Sequence, residues 1–235
     1  MGVLTAAGWG ALAAFSLVVG AWLAFRSRPV PATRVGMVMG FGSGALLAAI
    51  AYELVPTGFH QDVLLFSAFG LGGVVFFVTD AVVAGRRTMG AGSAERSLVI
   101  GTLLDGVPES LVLGIGVAVS GEVAVAFLVA VFVSNLPEAI GATATMRTHG
   151  HTKAQVYGLW WSIVAVSALA AAAGYVLYHV VPRADGGYVE AFAAGAVLTM
   201  LADSMIPEAY RQGGKATGLL AVLGFAVAGA LSALE

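Results

Sequence analysis

Apolar positions in this chain run on in long stretches broken by short polar punctuation, without the period of two that a half-buried strand would show. Eight stretches can be read, at roughly 3–25, 35–57, 63–84, 97–118, 123–146, 155–178, 188–209 and 215–234. Each is long enough for a membrane crossing, which takes about 20 residues of helix. Runs such as Ala168 to Ala173, built of alanine and leucine, favour helix. The pattern predicts an all-α, polytopic membrane protein: eight transmembrane helices, residues 1–235 forming one transmembrane domain, multi-pass in the cell membrane with the lipid bilayer as its surroundings.

Composition leaves little room for anything else. Hydrophobic residues make up 59% of the 235 and charged ones 10%, against roughly 25% charged in an ordinary soluble domain, so no sizeable aqueous domain fits between the spans. The net charge of −2 comes with Lys and Arg scattered singly or in pairs, which offers no basic stripe and excludes nucleic acid as a partner. Cysteine is absent, which excludes disulfides, thiolate metal sites and a cysteine nucleophile. The first stretch lacks a positive leader and is followed by Arg26 and Arg28, the pattern of a retained helix rather than a signal peptide.

Basic residues set an expected orientation. With eight spans and both termini outside, the loops after the first, third, fifth and seventh spans hold Arg26, Arg28, Arg34, Arg86, Arg87, Arg96, Arg147, Lys153, Arg211 and Lys215, ten of the eleven Lys and Arg residues. Only Arg183 then lies outside, as the positive-inside rule requires.

Two internal repeats are visible. Gly44-Ala45-Leu46-Leu47 and Leu54-Val55-Pro56 recur as Gly195-Ala196-Val197-Leu198 and Met205-Ile206-Pro207 at an offset of 151. The second and seventh spans run in opposite directions, so the copies are inverted, and spans 1–3 and 6–8 are expected to form an inverted repeat around spans 4 and 5. That central pair has its own repeat, Asp105-Gly106-Val107-Pro108-Glu109-Ser110 against Ser134-Asn135-Leu136-Pro137-Glu138-Ala139, at an offset of 29.

Chemistry concentrates in this second repeat. Asp105, Glu109 and Glu138 fall well inside their spans, where a charge costs at least about 2.5–3.5 kcal/mol on insertion scales. No Lys, Arg or His falls inside the stretches, Lys215 standing at the first position of the last one. The carboxylates must therefore be protonated or meet a cation from outside. Asp105 with Glu109, and Ser134 with Glu138, are spaced i, i+4 and share a helix face. In antiparallel spans Asp105 should lie level with Glu138, and Glu109 level with Ser134 and Asn135. Pro108 and Pro137 cannot donate to the carbonyls of Leu104 and Val133, which frees two further oxygens near the acids. Simple packing kinks would explain either proline alone, but an acid after each favours a cation site.

Other polar residues carry less. Glu53, near the outer end of the second span, and Asp203, near the inner end of the seventh, read equally as a pathway's entrance and exit or as helix-end acids in reach of headgroups. Asp80 and Glu208 read as boundary residues. His149 and His151 supply two imidazoles where a metal site takes three or four ligands. Gly36, Gly40 and Gly44 form a small-residue face suited to close helix packing, within the chain or between two copies.

The two proline-glutamate motifs, the eight spans and the Asp203-Ser204-Met205-Ile206-Pro207-Glu208-Ala209 segment resemble the ZIP family of divalent metal transporters over the whole chain. The resemblance implies a 3+2+3 helix bundle, commonly dimeric, with a homodimer as a candidate assembly. It also implies a divalent metal ion carried towards the cytoplasm as transported substrate, with no resident cofactor. Carried over by position, Glu109 and Glu138 match the family's metal-ligating glutamates and Asp105 stands where the family has His. Gly106 stands where it has Asn, and Ser134 and Asn135 replace the first two ligands of the fifth helix. The glutamate many members supply from the sixth helix is missing around Ser167 and Ala168. One site is expected in altered form, made of Asp105, Glu109, Ser134, Asn135 and Glu138, while a second has lost most of its ligands. An oxygen-only donor set lowers the preference for zinc relative to manganese, ferrous iron or magnesium.

Two alternatives remain at the level of sequence: a homologue that carries another cation or protons, and a non-transporting scaffold whose acids are protonated and hydrogen-bonded. An intramembrane enzyme is disfavoured, since no span holds a histidine to activate a serine and no Gly-x-Gly-Asp sequence occurs.

Overall fold

In the computed structural model the described residues are 2–26, 30–55, 62–89, 94–180 and 187–234, with only the backbone described between 83 and 100. They fold into helices α1 (Val3–Arg26), α2 (Ala32–Ala49), α3 (Val63–Met89), α4 (Ala94–Ser120), α5 (Val125–Thr148), α6 (Lys153–Val180), α7 (Gly187–Met200), α8 (Ile206–Gly213) and α9 (Ala216–Ser232). A π turn, Ile50–Leu54, extends α2, and another, Leu201–Met205, joins α7 to α8 in one continuous rod. Helix is the expected choice for such apolar stretches, because a lipid-facing backbone must satisfy its own N–H and C=O groups. Seven of the rods are long and apolar enough to cross a membrane, and α9 is a shorter apolar helix of 17 residues, about 25 Å long. The protein is a multi-pass, all-helical membrane protein.

Helix pairing follows the first repeat. α2 lies along α9, α3 lies along α7, and α1 packs on both α5 and α6 while α4 packs on α6. In the α2–α9 contact a Cβ at Gly44 would overlap the carbonyl oxygen of Ala221, and in the α3–α7 contact a Cβ at Gly195 would overlap that of Phe69. The reciprocal contacts match too, with Gly224 against the Phe41 carbonyl and Gly72 against that of Phe192. Phe41 and Phe192 are 151 residues apart, as are the two π turns, while Phe69 and Ala221, like Gly72 and Gly224, are 152 apart. The sequence repeat is thus matched contact by contact. The small-residue face is used inside the chain, for Gly36 meets Gly213, Gly40 meets Thr217 and Gly44 meets Ala221.

Arg26, Arg34, Arg147, Lys153, Arg211 and Lys215 gather at one end of the bundle, hereafter the basic end. Arg147 donates to the Ala24 carbonyl oxygen and, with Lys153, lies over the Phe25 ring. The half of the bundle away from this end holds a packed apolar cluster that includes Leu46, Ile50, Val112, Leu113, Phe127 and Val131. A second cluster, with Leu17, Met146, Val156 and Ile163, surrounds Trp160, whose Nε1 donates to Thr143 Oγ1 at 3.0 Å. Interhelical hydrogen bonds in membranes average about 0.6 kcal/mol, and an orphaned buried donor costs about 1–3 kcal/mol. Thr143→Val is therefore expected to lower stability by about 1 kcal/mol, read as a drop in the thermal midpoint of the detergent-solubilised protein. By contrast α3 leaves Leu64, Phe66, Leu71, Val74, Phe77 and Val78 exposed, a surface suited to acyl chains.

Candidate cation site

A cavity of about 770 Å³ runs from the middle of α4 and α5 to the basic end. It is lined by α4 through Asp105 and Glu109, by α5 through Ser134, Asn135, Glu138 and Thr145, by α2 through Val35 and Met39, and by the α7–α8 rod. All five residues expected to hold a cation thus face one space. Gly42 makes room for them, since its bare Cα lets α2 approach the backbone of Ser134. On the far side of Glu109 the apolar cluster around Val112, Phe127 and Val131 fills the bundle, so the cavity extends from the acids towards the basic end only.

Glu109 is the deepest group, 1% exposed, and its Oε2 has no hydrogen-bond partner among the described residues. An ionised carboxylate in such a place needs a counter-charge or a proton. Asp105 and Glu138 lie near enough to interact with it electrostatically. Ser134 and Asn135 are buried, and the Ser134 hydroxyl is turned back to the Val131 carbonyl oxygen at 2.9 Å. Glu138 accepts a hydrogen bond from Thr102 Oγ1 at 2.5 Å, across the α4–α5 contact. As the side chains stand, no three His, Cys, Asp or Glu residues among those described converge tightly enough to hold a metal ion.

The prolines divide between two spaces. α4 and α5 continue through Pro108 and Pro137. Pro137 lines the polar cavity, whereas Pro108 faces an apolar pocket of about 440 Å³ between α3, α4 and α7. Gly106 is buried, and the nearest group to a Cβ there would be the Ser167 hydroxyl of α6, 3.8 Å away. The two positions that lack the expected second-site ligands therefore face each other.

Glu53 and Asp203 do not line the cavity. Each sits in a π turn, Asp203 exposed and Glu53 partly so, while Ser204, beside Asp203, does face the cavity. Glu208, read from sequence as a boundary residue, also lines it, with Arg211 and Gln212. Arg211 forks onto Glu208 through Nε at 2.9 Å and Nη2 at 2.6 Å, and Gln212 donates to the same carboxylate. The expectation that the acids have no basic side chain in their space therefore needs correcting at the rim, where the α8 helix carries Arg211 to the cavity edge one turn from Glu208. Ser204, Glu208 and Gln212 recur every fourth residue, the spacing of one helix face, and that periodicity was the available signal. His149 stands beyond the cavity, with Nδ1 2.9 Å from the Thr145 carbonyl oxygen.

No protein-family model matches the chain, and no curated protein matches it. What the chain does must be argued from the cavity and its acids.

Proposed function

We propose that the chain is a ZIP-like carrier that moves divalent metal cations towards the cytoplasm through the Asp105, Glu109 and Glu138 cavity, with a 3+2+3 arrangement of spans and both termini outside. The observation that carries this reading is Glu109: a carboxylate at mid-span, 1% exposed, with one oxygen unpartnered among the described residues and Asp105 and Glu138 on the same cavity. Ionisable groups within a membrane mark ion pathways by default, and a divalent cation arriving from the cavity would supply the charge and the ligand that Glu109 lacks.

Further support comes from the donor chemistry. The five residues proposed to hold the ion, Asp105, Glu109, Ser134, Asn135 and Glu138, all offer oxygen, which favours manganese, ferrous iron and magnesium over zinc. Gly106 facing Ser167 argues for one ion rather than two. The one-ended cavity fits a state open to the release side, with the apolar cluster closing the route from Glu53 and the exit passing the Asp203-Ser204 turn.

The test is uptake of zinc, manganese, ferrous iron, cadmium and magnesium into proteoliposomes, by the native chain and by a Glu109→Ala, Glu138→Ala double variant. Saturable uptake of at least one ion, abolished by the double substitution, is the expected result. Absence of flux with folded, inserted native protein would overturn the proposal.

A further inference from the structure

Thr102 belongs to none of the groups expected to touch a cation, yet it holds one of them. Thr102, Asp105 and Glu109 follow each other at i, i+3 and i+7, one face of α4, which puts Thr102 about 10 Å below Glu109 along the helix axis and Asp105 about 6 Å below it. Thr102 is 2% exposed, and its hydroxyl donates to Glu138 Oε1 at 2.5 Å. The Glu138 head is therefore drawn towards the basic end, past the level of Asp105, where sequence spacing alone would leave it. Another observation fits that displacement: among the described residues Glu109 Oε2 has no hydrogen-bond partner.

We infer that Thr102 is a positioning residue that holds the Glu138 head towards the basic end, so that a cation bound between Glu109 and Glu138 must draw Glu138 off the hydroxyl. The inference rests on the transport reading and adds to it the element that sets how tightly the ion is held. A hydrogen bond to a charged group is stronger than a neutral one. Giving it up opposes ion binding, and regaining it helps the ion leave. The Thr102 hydroxyl thus trades affinity for release.

The test uses manganese(II) as the probe, with the full chain in proteoliposomes and KM and kcat measured separately. Thr102→Val keeps the shape and removes the donor. It is expected to lower KM about tenfold, equivalent to about 1.4 kcal/mol, and to lower kcat, because Glu138 then stays on the ion. Thr102→Ser restores the donor and should return both constants to the native values. If Thr102→Val does not fold, judged by elution profile and thermal midpoint, Thr102→Ala should show the same opposed pattern. An unchanged or raised KM in the donor-less variants, or a serine variant that behaves like valine, overturns the positioning role while leaving transport intact. No manganese uptake by the native chain overturns the transport reading and this role together.

Discussion

Glu109→Gln is expected to reduce cation uptake by on the order of 100-fold, the upper end of what even supporting groups around a metal contribute, while the ion-free protein stays as stable as the native one or becomes more so. The two halves of this expectation have the same source. Glu109 is buried with Oε2 unpartnered among the described residues, and an uncompensated buried carboxylate costs several kcal/mol or must hold a proton. A neutral amide of the same shape removes that cost along with the charge that attracts the ion. The direct check is a thermal midpoint measured with and without manganese. A ligand at 100 times its Kd stabilises the native state by about 2.7 kcal/mol, so the native protein should gain several degrees and the variant none. Loss of stability in Glu109→Gln without manganese would instead assign Glu109 to the scaffold.

The second large effect concerns the glycine contacts. Gly44→Ala and Gly195→Ala should each destabilise the fold by about 3 kcal/mol, at or beyond the upper end of the usual cost of overpacking. In both cases the added Cβ would overlap a backbone carbonyl, of Ala221 or of Phe69, which cannot move unless two helices separate. Because the two glycines occupy matching places in the repeat, their losses should be similar. Gly116, with no described residue within 4 Å of a Cβ, is the control, and Gly116→Ala should be neutral or stabilising by up to about 1 kcal/mol through helix propensity. Thermal midpoints of purified protein decide the matter; a Gly44→Ala protein as stable as the native one would show that the α2–α9 contact can open without penalty.

The spans were readable from sequence because lipid demands a minimum apolar length, and Asp105, Glu109 and Glu138 because a charge in an apolar stretch stands out; Ser134 and Asn135 were legible only through the repeat that aligns them with Asp105 and Gly106. What was not readable is equally physical. Hydroxyl side chains in membrane helices commonly bond back to their own helix, as Ser43, Ser67, Thr79, Ser120 and Thr145 do here. One that reaches another helix, as Thr102 does, looks the same in a sequence. The glycine spacing announced close packing, but its partners, Gly213 of α8 and Thr217 and Ala221 of α9, lie too far along the chain for the spacing to name them. Gly42, outside that spacing, could not be linked to Ser134 at all. The π turns left no local signal; they emerge as a pair only when the two halves are laid over each other.

The gathering of Arg26, Arg34, Arg147, Lys153, Arg211 and Lys215 at one end, with Glu53, Asp62, Glu122 and Glu190 towards the other, makes the whole bundle an electric dipole. Turning one copy over in a bilayer would drag six cationic heads through hydrocarbon and set them on the wrong surface, against both the insertion cost and the positive-inside bias. Every copy in a membrane therefore points the same way. A population of such molecules shares one polarity, and the mouths of their cavities open on one surface.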